Sequence, residues 1–404
     1  MRSLCPTPPE TPLSTCFPLC WTGIARSRKR STRSTISNRA TVPRPTGSLD
    51  AVLEPFLRRA PPDPVRHVLR LGAAQLLLLD TPAHAAVATA VALARGRSLT
   101  PFAGLINAVL RRVAAAGKAA LDELDGPRLD TPPWLWASWG NDARIIAQAH
   151  EHEAPLDLSL NSGATPPGGD LLPTGSVRFP PGTRVGDLPG FAEGAFWVQD
   201  AAAALPARLL NAQSGERVAD LCAAPGGKAA QIAASGAAVT ALERDPIRMQ
   251  RLAENLARLR LPADAVLADA LTWRPPAPFD AVLLDVPCSA TGTIRRHPDV
   301  PFLKRPRDIE TLVVQQRALI AAAAAMLRPG GRLVYAVCSL QPEEGPGQVA
   351  AALAAGLRHD PVRPDELSAI PEALTADGCL RTHPGLWPDR GGMDGFFAAR
   401  FVKL

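Results

Sequence analysis

A short apolar strand that runs into a glycine loop and then a helix constrains the fold of this chain most strongly. The stretch Val218–Lys228 reads Val-Ala-Asp-Leu-Cys-Ala-Ala-Pro-Gly-Gly-Lys, and an Ala-rich segment follows it. This arrangement brings backbone N–H groups close to a nucleotide-like ligand, and glycine is needed where a side chain would collide with that ligand. The adjacent Gly226 and Gly227 do not form a G-x-G-x-x-G pattern, so a dinucleotide is not the favoured ligand.

Strands and helices alternate through the second half of the chain. Strands are expected at 217–221, 238–242, 265–268, 280–284, 332–337 and 395–402, with helices at 228–235, 246–259, 308–327 and 343–356. This alternation predicts an α/β domain with a mostly parallel sheet and helices on both faces. The second strand ends at Glu243, and an acidic residue about this far beyond the glycine loop suits two ribose hydroxyls.

Reactive side chains follow the strands of the predicted sheet. One buried strand ends in Asp285, with Cys288 close behind it, and another ends at Cys338. The carboxyl ends of parallel strands form the ligand crevice of an open α/β sheet, so these groups can converge there with Glu243 and Asp269. A single cysteine of this kind is most often an inert buried thiol, but two beside a carboxylate indicate a reactive site.

A helical unit and a connector precede the α/β domain. Apolar residues at helical spacing predict helices over Leu49–Arg59, Pro64–Leu79, His84–Ala94 and Pro101–Ala116, within a unit that spans residues 48–117. Arg111 and Arg112, near the end of the last helix, are either solvated charges or RNA contacts. Residues 118–196 form the connector, whose three tryptophans in Thr131–Trp139 are expected to pack it onto its neighbours. A further helix, Val198–Leu210, leads into the catalytic half, residues 197–404.

The excess of positive charge lies in the N-terminal tail. Residues 1–47 contain eight Lys or Arg and one acidic residue, so the rest of the chain, with 36 basic and 37 acidic residues, is nearly neutral. This Pro-, Ser- and Arg-rich tail is expected to be disordered, and an RNA-binding arm, a transit peptide or sequence not natural to the protein all remain open. The scattered cysteines show no metal spacing, and apolar runs are too short to span a membrane. We therefore expect free thiols in a reducing cytoplasm, without a metal or a membrane.

Three motifs, taken in order, carry a family resemblance. The segments Asp220–Lys228, Asp285–Cys288 and Tyr335–Ser339 resemble motifs I, IV and VI of the RNA cytosine-5 methyltransferases. The helical unit resembles the NusB-like N-terminal domain of the bacterial RsmB (Sun/Fmu) enzymes, which methylate 16S ribosomal RNA. The chain departs from that family in two ways. Val337 stands where Thr is usual, and the upstream helices of the NusB-like domain are replaced by the tail, so the domain is expected to be partial or truncated.

The resemblance implies S-adenosyl-L-methionine (SAM) as the cofactor of a Rossmann-like methyltransferase domain. Its methionine portion would be held by the glycine loop, Cys222, Ala223, Ala224, Pro225, Gly226, Gly227 and Lys228. Glu243 would hold the ribose, and Asp269 would lie near the adenine or instead cap a helix. Asp285 would contribute to the cofactor site and also contact the target base near N3.

The resemblance also implies the chemistry. Cys338 would add to C6 of the cytosine and Cys288 would assist release, although the opposite assignment, which holds in DNA cytosine-5 methyltransferases, remains open. Arg295, Arg296 and His297 are candidate RNA contacts. The expected substrate is 16S rRNA, naked or in early assembly, and the expected enzyme is a monomer. The alternatives are a tRNA cytosine-5 methyltransferase and a catalytically weak RNA-binding or ribosome-assembly protein.

Overall fold

An aliphatic core organises the first described part of the molecule. The computed structural model describes residues 46–404, so the basic tail lies almost wholly outside the described residues. The helical unit comprises α1 (Thr46–Leu53), α2 (Asp63–Leu77), α3 (Ala83–Gly96), α4 (Ala103–Ala116) and α5 (Ala119–Asp122). Apolar residues three and four positions apart place Leu69, Ile106 and Leu110 in one buried cluster, as the periodicity predicts.

The connector contains a small sheet that the sequence analysis does not predict. Short helices α6 (Gly126–Leu129), α7 (Pro133–Trp139) and α8 (Ala143–Ala149) precede strands β1 (Leu156–Leu160), β2 (Asp170–Leu171), β3 (Val177–Phe179) and β4 (Phe196–Val198). The strands form an antiparallel sheet in the order β2-β3-β1-β4. The expected packing by the tryptophan segment is confirmed, because Leu135 and Trp139 lie in one apolar cluster with Ile294, Val300 and Leu340 of the catalytic half.

The catalytic half is built on a larger sheet. Its strands are β5 (Arg217–Leu221), β6 (Ala238–Glu243), β7 (Ala263–Leu267), β8 (Phe279–Asp285), β9 (Leu327–Val337), β10 (Leu357–His359), β11 (Leu380–Arg381) and β12 (Phe397–Lys403). Its helices are α9 (Leu205–Leu210), α10 (Gly227–Ala233), α11 (Pro246–Leu259), α12 (Val300–Leu303), α13 (Pro306–Met326) and α14 (Val349–Ala354).

The order of the strands determines where the ligand crevice of the sheet lies. The sheet runs β10-β12-β9-β8-β5-β6-β7, with β11 paired to β12. The five strands from β7 to β9 are mutually parallel, whereas β10, β11 and β12 add antiparallel pairs. Buried apolar clusters cover both faces. From β5 the chain turns first to β6 and β7 on one side and then to β8 and β9 on the other, so the crevice opens at the carboxyl ends of β5 and β8.

Several predicted boundaries of strands and helices agree with the structure, and one predicted helix is wrong. The strand β5 and the helix α11 have the predicted ends. The predicted helix Val198–Leu210 does not form as a unit, because Val198 pairs with Leu158 in the connector sheet. The Asp200 carboxylate then accepts a hydrogen bond from the backbone N–H of Ala202 and holds a turn, so α9 begins only at Leu205.

One helix in residues 46–404, α13, is long and apolar enough by length and composition to cross a membrane. It packs on the sheet through Leu319, Ile320 and Ala323, all buried among strand residues, as the core helix of a globular domain does. Within the same described range, no group of three or more His, Cys, Asp or Glu side chains is placed to hold a metal ion.

Candidate active site

The predicted site residues meet at one edge of the large sheet. Glu243 is the last residue of β6 and Asp285 the last of β8, while Cys222 and Cys338 follow β5 and β9 directly. The parallel pairing of these four strands brings their carboxyl ends together. The site therefore forms because adjacent parallel strands end at one edge, as the alternation of strands and helices predicts.

The two cysteines lie in contact. Sγ of Cys288 is 3.4 Å from Sγ of Cys338, although fifty residues separate them in the chain. The hydrogen bond to Cys338, burial and the charges of Cys338 and Glu344 raise the pKa of the Cys288 thiol well above its ordinary value. Burial and these neighbouring groups therefore favour the neutral thiol at Cys288, and a neutral thiol is a weaker nucleophile than a thiolate.

A part-buried ion pair lies next to the cysteines. Nζ of Lys228 lies 2.7 Å from Oδ2 of Asp285 and 5.0 Å from the centre of the Phe396 ring. Burial by itself lowers the pKa of Lys228, but the charge and hydrogen bond of Asp285, with the charge of Cys338, outweigh it and raise the pKa. The Lys228 side chain therefore faces the Asp285 carboxylate, although its backbone belongs to the glycine loop.

The glycine loop is held by the helix that follows the next strand. Arg248 donates to the carbonyl oxygen of Ala224 at 2.7 Å, and Asn255 donates to that of Pro225 at 2.8 Å. Gly226 has φ +106°, a left-handed conformation that favours glycine, and a Cβ there would meet Leu252 at 2.7 Å. Burial and the charges of Asp285, Glu243 and Asp220 raise the pKa of Cys222 to about 12, so this loop cysteine is a poor nucleophile.

Glu243 presents a free acceptor beside this loop. The residue is 3% exposed, and its Oε1 accepts a hydrogen bond from the backbone N–H of Asp245 at 3.0 Å. Its Oε2 has no hydrogen-bond partner within residues 46–404, apart from the Arg248 guanidinium 3.4 Å away. Buried acceptors are normally satisfied, so the free oxygen fits a ligand that brings hydroxyl donors, as the ribose of SAM does.

Asp269 does not cap a helix, because the residues that follow it form a turn and no helix lies between β7 and β8. Its Oδ1 accepts a hydrogen bond from the backbone N–H of Leu271 at 2.9 Å. The residue follows β7 at the same edge of the sheet as Glu243. The turn fixes the carboxylate at this edge, and contact with the adenine remains a prediction.

Asp220 belongs to the site but was not assigned a role from the sequence. It lies in β5 and is 1% exposed, and neither carboxylate oxygen has a hydrogen-bond partner in the described part of the chain. Burial, together with the charge of Asp285, raises the pKa of Asp220 to about 8, against the opposing effect of Lys228. The sequence feature that could have identified Asp220 is an acidic residue within a short, mainly apolar strand.

Arg295 is buried, which corrects its prediction as an RNA contact. It is 2% exposed and pairs with Asp200 at 2.8 Å and Asp394 at 2.7 Å. Arg296 is part-buried and pairs with the same two carboxylates. The charges of both arginines outweigh burial and lower the pKa of Asp200. His297 remains exposed beside this buried network, which holds the segment after Cys288 to the connector and to the chain before β12.

Arg111 and Arg112 are both exposed on α4. Arg112 lies over the Phe56 ring, with 5.0 Å between the guanidinium carbon and the ring centre. The contact is made within the helical unit, and Arg111 remains a candidate for RNA.

The fold and the site together define a class of protein. An open, mainly parallel sheet carries a glycine loop after its central strand and a buried carboxylate with a free oxygen at the end of the next strand. The molecule is a SAM-dependent methyltransferase with a Rossmann-like catalytic domain.

Comparisons with known proteins identify the family. Residues 207–402 match the model of the 16S rRNA methyltransferase RsmB/F family, and residues 37–115 match the NusB family. The ribosomal RNA small subunit methyltransferase B of Sodalis glossinidius is 38% identical over 369 residues, which cover 84% of this chain and 82% of that protein. The same enzyme of Vibrio cholerae is 38% identical over 364 residues, covering 83% and 80%. The chain belongs to the RsmB/F methyltransferase family.

Solved structures support the fold. A methyltransferase homologue from Pyrococcus horikoshii aligns with a TM-score of 0.54 and 24% identity, covering 70% of this chain and 96% of that chain. Another solved structure aligns with a TM-score of 0.71 and 24% identity, covering 90% of this chain and 88% of that chain. The order of a helical domain followed by a methyltransferase domain, expected from the sequence, is confirmed.

Proposed function

We propose that this protein methylates C5 of a cytosine in 16S ribosomal RNA through a covalent adduct between Cys338 and C6 of the base. The observation that carries the proposal is the contact of the two cysteine sulfurs, 3.4 Å apart, beside the Asp285–Lys228 ion pair. The names of the relatives support ribosomal RNA as the substrate.

The first step is the addition of a thiolate. Cytosine C5 is too weak a nucleophile to take a methyl group directly, so the Cys338 thiolate adds to C6 and the electron pair moves to C5. Asp285 holds the base near N3, and the hydrogen bond from Lys228 keeps that carboxylate in place. The target cytosine leaves any stack in order to reach these groups.

SAM, when bound, supplies the methyl group as an electrophile. Glu243, with its free buried oxygen, would hold the ribose, and the loop from Cys222 to Lys228 would hold the methionine portion. Asp269 and Asp285 complete the proposed set. Asp220 lies in the strand that leads into this loop, and its carboxylate oxygens have no hydrogen-bond partner in the described residues. It adds a residue to the proposed set named from the sequence.

Release requires a base for the C5 proton, and Cys288 is suited to that role. Before reaction, the hydrogen bond and charge of Cys338 are major causes of the raised Cys288 pKa. Both causes disappear once the Cys338 sulfur is bonded to C6, so Cys288 becomes easier to ionise when a base is needed. The Cys288 thiol first loses its proton to solvent; its thiolate then takes the C5 proton, the C5–C6 double bond re-forms and the Cys338 thiolate leaves.

The experiment compares Cys338→Ala with Cys288→Ala. We expect Cys338→Ala to lose turnover and covalent attachment, and Cys288→Ala to accumulate an enzyme–RNA adduct that needs both SAM and a target cytosine. A denaturing gel shows the adduct as a slow band, and bisulfite sequencing locates the methylated base. Trapping by Cys338→Ala alone would reverse the two roles. Turnover retained in both variants would overturn the covalent mechanism.

The proposal extends to where and how the enzyme acts. We infer that it works as a monomer in the cytoplasm, on 16S rRNA that is naked or in early assembly. Parallel assays with naked 16S rRNA, assembled small subunits and tRNA test the substrate, and light scattering tests the oligomeric state. Preference for tRNA would support the tRNA-methyltransferase alternative, and RNA binding without methylation would support the assembly-protein alternative.

A further inference from the structure

A buried carboxylate lies directly behind the two cysteines. Glu344 is 0% exposed and follows β9, six residues beyond Cys338. Neither the motifs nor the proposed mechanism uses it. A fully buried carboxylate costs free energy unless its acceptors are satisfied, so its contacts show what it does.

Glu344 accepts hydrogen bonds from both cysteine loops. Ser289, the residue after Cys288, donates its backbone N–H to Oε1 at 2.9 Å and its hydroxyl to Oε2 at 2.5 Å. Ser339, the residue after Cys338, donates its hydroxyl to Oε2 at 2.6 Å. One carboxylate therefore ties together the backbone segments that carry the two sulfur atoms.

Further hydrogen bonds, from a helix and from a strand, fix the position of Glu344. Gln316 of α13 donates to Oε1 of Glu344 at 3.0 Å and to the carbonyl oxygen of Pro287 at 3.0 Å. The Tyr335 hydroxyl donates to the backbone oxygen of Glu344 at 2.6 Å. Glu344 therefore has little freedom to move without disturbing the strand, the helix and both loops.

The charge of Glu344 acts on Cys288. It is among the causes that raise the pKa of Cys288, after the hydrogen bond and charge of Cys338 and burial. A negative charge near Cys288 favours its neutral thiol, which can then donate to a thiolate at Cys338.

We propose that Glu344 is a positioning residue that fixes the separation of the two cysteines and disfavours negative charge on Cys288. This inference rests on the proposed function for its consequence in catalysis. Its structural content, the charge distribution within the thiol pair, can be measured without RNA.

Two substitutions of Glu344 separate the effect of its charge from the effect of its side-chain length. Glu344→Gln keeps the side-chain length: the amide oxygen can still accept from the N–H groups of Ser289 and Gln316, while the serine hydroxyls turn to accept from the amide nitrogen. Glu344→Asp keeps the charge but is one methylene shorter, so it cannot reach both loops in the same way. Glu343→Gln is the matched control, because it makes the same chemical change one residue earlier on the exposed surface.

The first measurement is the rate at which iodoacetamide alkylates each cysteine, followed by peptide mass spectrometry on the full-length protein without RNA. In the wild type, we expect Cys338 to react faster than Cys288. In Glu344→Gln, the Cys288 rate should rise up to roughly tenfold, as a fall of one pKa unit would produce. Glu344→Asp should keep the wild-type preference, and Glu343→Gln should match the wild type. Equal labelling in wild type and Glu344→Gln, with unchanged melting temperature, would overturn the charge assignment.

The second measurement is single-turnover methylation of 16S rRNA across pH. Glu344→Asp should react about 10- to 100-fold more slowly, because the sulfur atoms are no longer held at the reacting distance. Glu344→Gln should show a shifted pH profile, which a merely structural role would not produce. Wild-type rates in Glu344→Asp would overturn the positioning role. If the wild type itself does not methylate C5 while the labelling changes appear, the proposed function fails and the role of Glu344 in the thiol pair stands.

Discussion

The helical unit and the catalytic edge of the sheet are stabilised in different ways. The helical unit buries an aliphatic cluster that includes Leu69, Ile106 and Leu110, and its charged pair Arg70–Asp50 lies near the surface. The sheet edge buries Asp220 and Glu243, and it also buries Arg295 and Glu344, which lie within networks of hydrogen bonds. An apolar cluster loses stability in proportion to the volume removed, whereas a buried polar network fails when one partner is missing. This difference indicates that the interactions that fix side-chain positions are concentrated at the sheet edge.

The largest expected effect comes from breaking the buried ion network. Arg295→Met should lower the free energy of unfolding by about 3–5 kcal/mol, because Asp200 and Asp394 then share only the part-buried Arg296. Urea denaturation measures this change. Arg328→Met removes a half-exposed ion pair with Asp280 and should cost about 0–1 kcal/mol. Equal effects of the two substitutions would contradict the contrast between buried and exposed pairs.

A core truncation in the helical unit should follow. Leu110→Ala removes a fully buried side chain and should cost about 2–5 kcal/mol by the same denaturation measurement. Leu105→Ala, a partly exposed position on the same helix, should change stability by about 0.5 kcal/mol or less. The alkylation preference of the two cysteines should remain that of the wild type in both variants. A changed preference in folded Leu110→Ala would show that the two regions are coupled.

Loss of the Glu243 carboxylate should have a smaller effect, confined to ligand binding. Glu243→Ala should weaken SAM binding by about 1–3 kcal/mol, because charge-assisted hydrogen bonds from ribose hydroxyls are lost. Glu243→Gln should weaken it less, since the amide can still accept from the backbone of Asp245. Titration calorimetry measures both, with the exposed Glu254→Ala as the control. Unchanged affinity in Glu243→Ala would remove Glu243 from the cofactor site.

A further expected effect, measured as a slope and not as a single free-energy difference, is a change in how stability depends on pH. The pKa of Asp220, raised to about 8, means that the folded state binds more protons than the unfolded state between about pH 4 and 8. Stability should therefore fall as pH rises through that window, by at most about 1.4 kcal/mol per pH unit from this group. Asp220→Asn should lack this component of the slope. Parallel slopes for wild type and variant, from urea denaturation at several pH values, would show that Asp220 is not held protonated.

Local patterns predicted most of the elements. The bounds of β5 and α11 agree with the sequence because their apolar spacing and flanking residues are local. The helix predicted over Val198–Leu210 failed because a pairing with Leu158, distant in the chain, overrode local helical preference. The connector sheet was missed for the same reason, since its strands are short and depend on their partners.

Sequence by itself determined the family, the alternation of strands and helices, and the edge of the sheet at which Glu243, Asp285, Cys288 and Cys338 would meet. These features follow from side-chain periodicity and from the rule that parallel strands end together.

Only the tertiary structure decided which groups touch. Ser289 meets Glu344 across 55 residues of chain, and Arg295 meets Asp200 across 95. Burial turned Arg295 from a candidate RNA contact into part of an internal network, and it left oxygens of Asp220 and Glu243 without hydrogen-bond partners in the described residues. Such contacts depend on how distant segments pack, and the cost of leaving a polar group unpaired arises only once packing has excluded water.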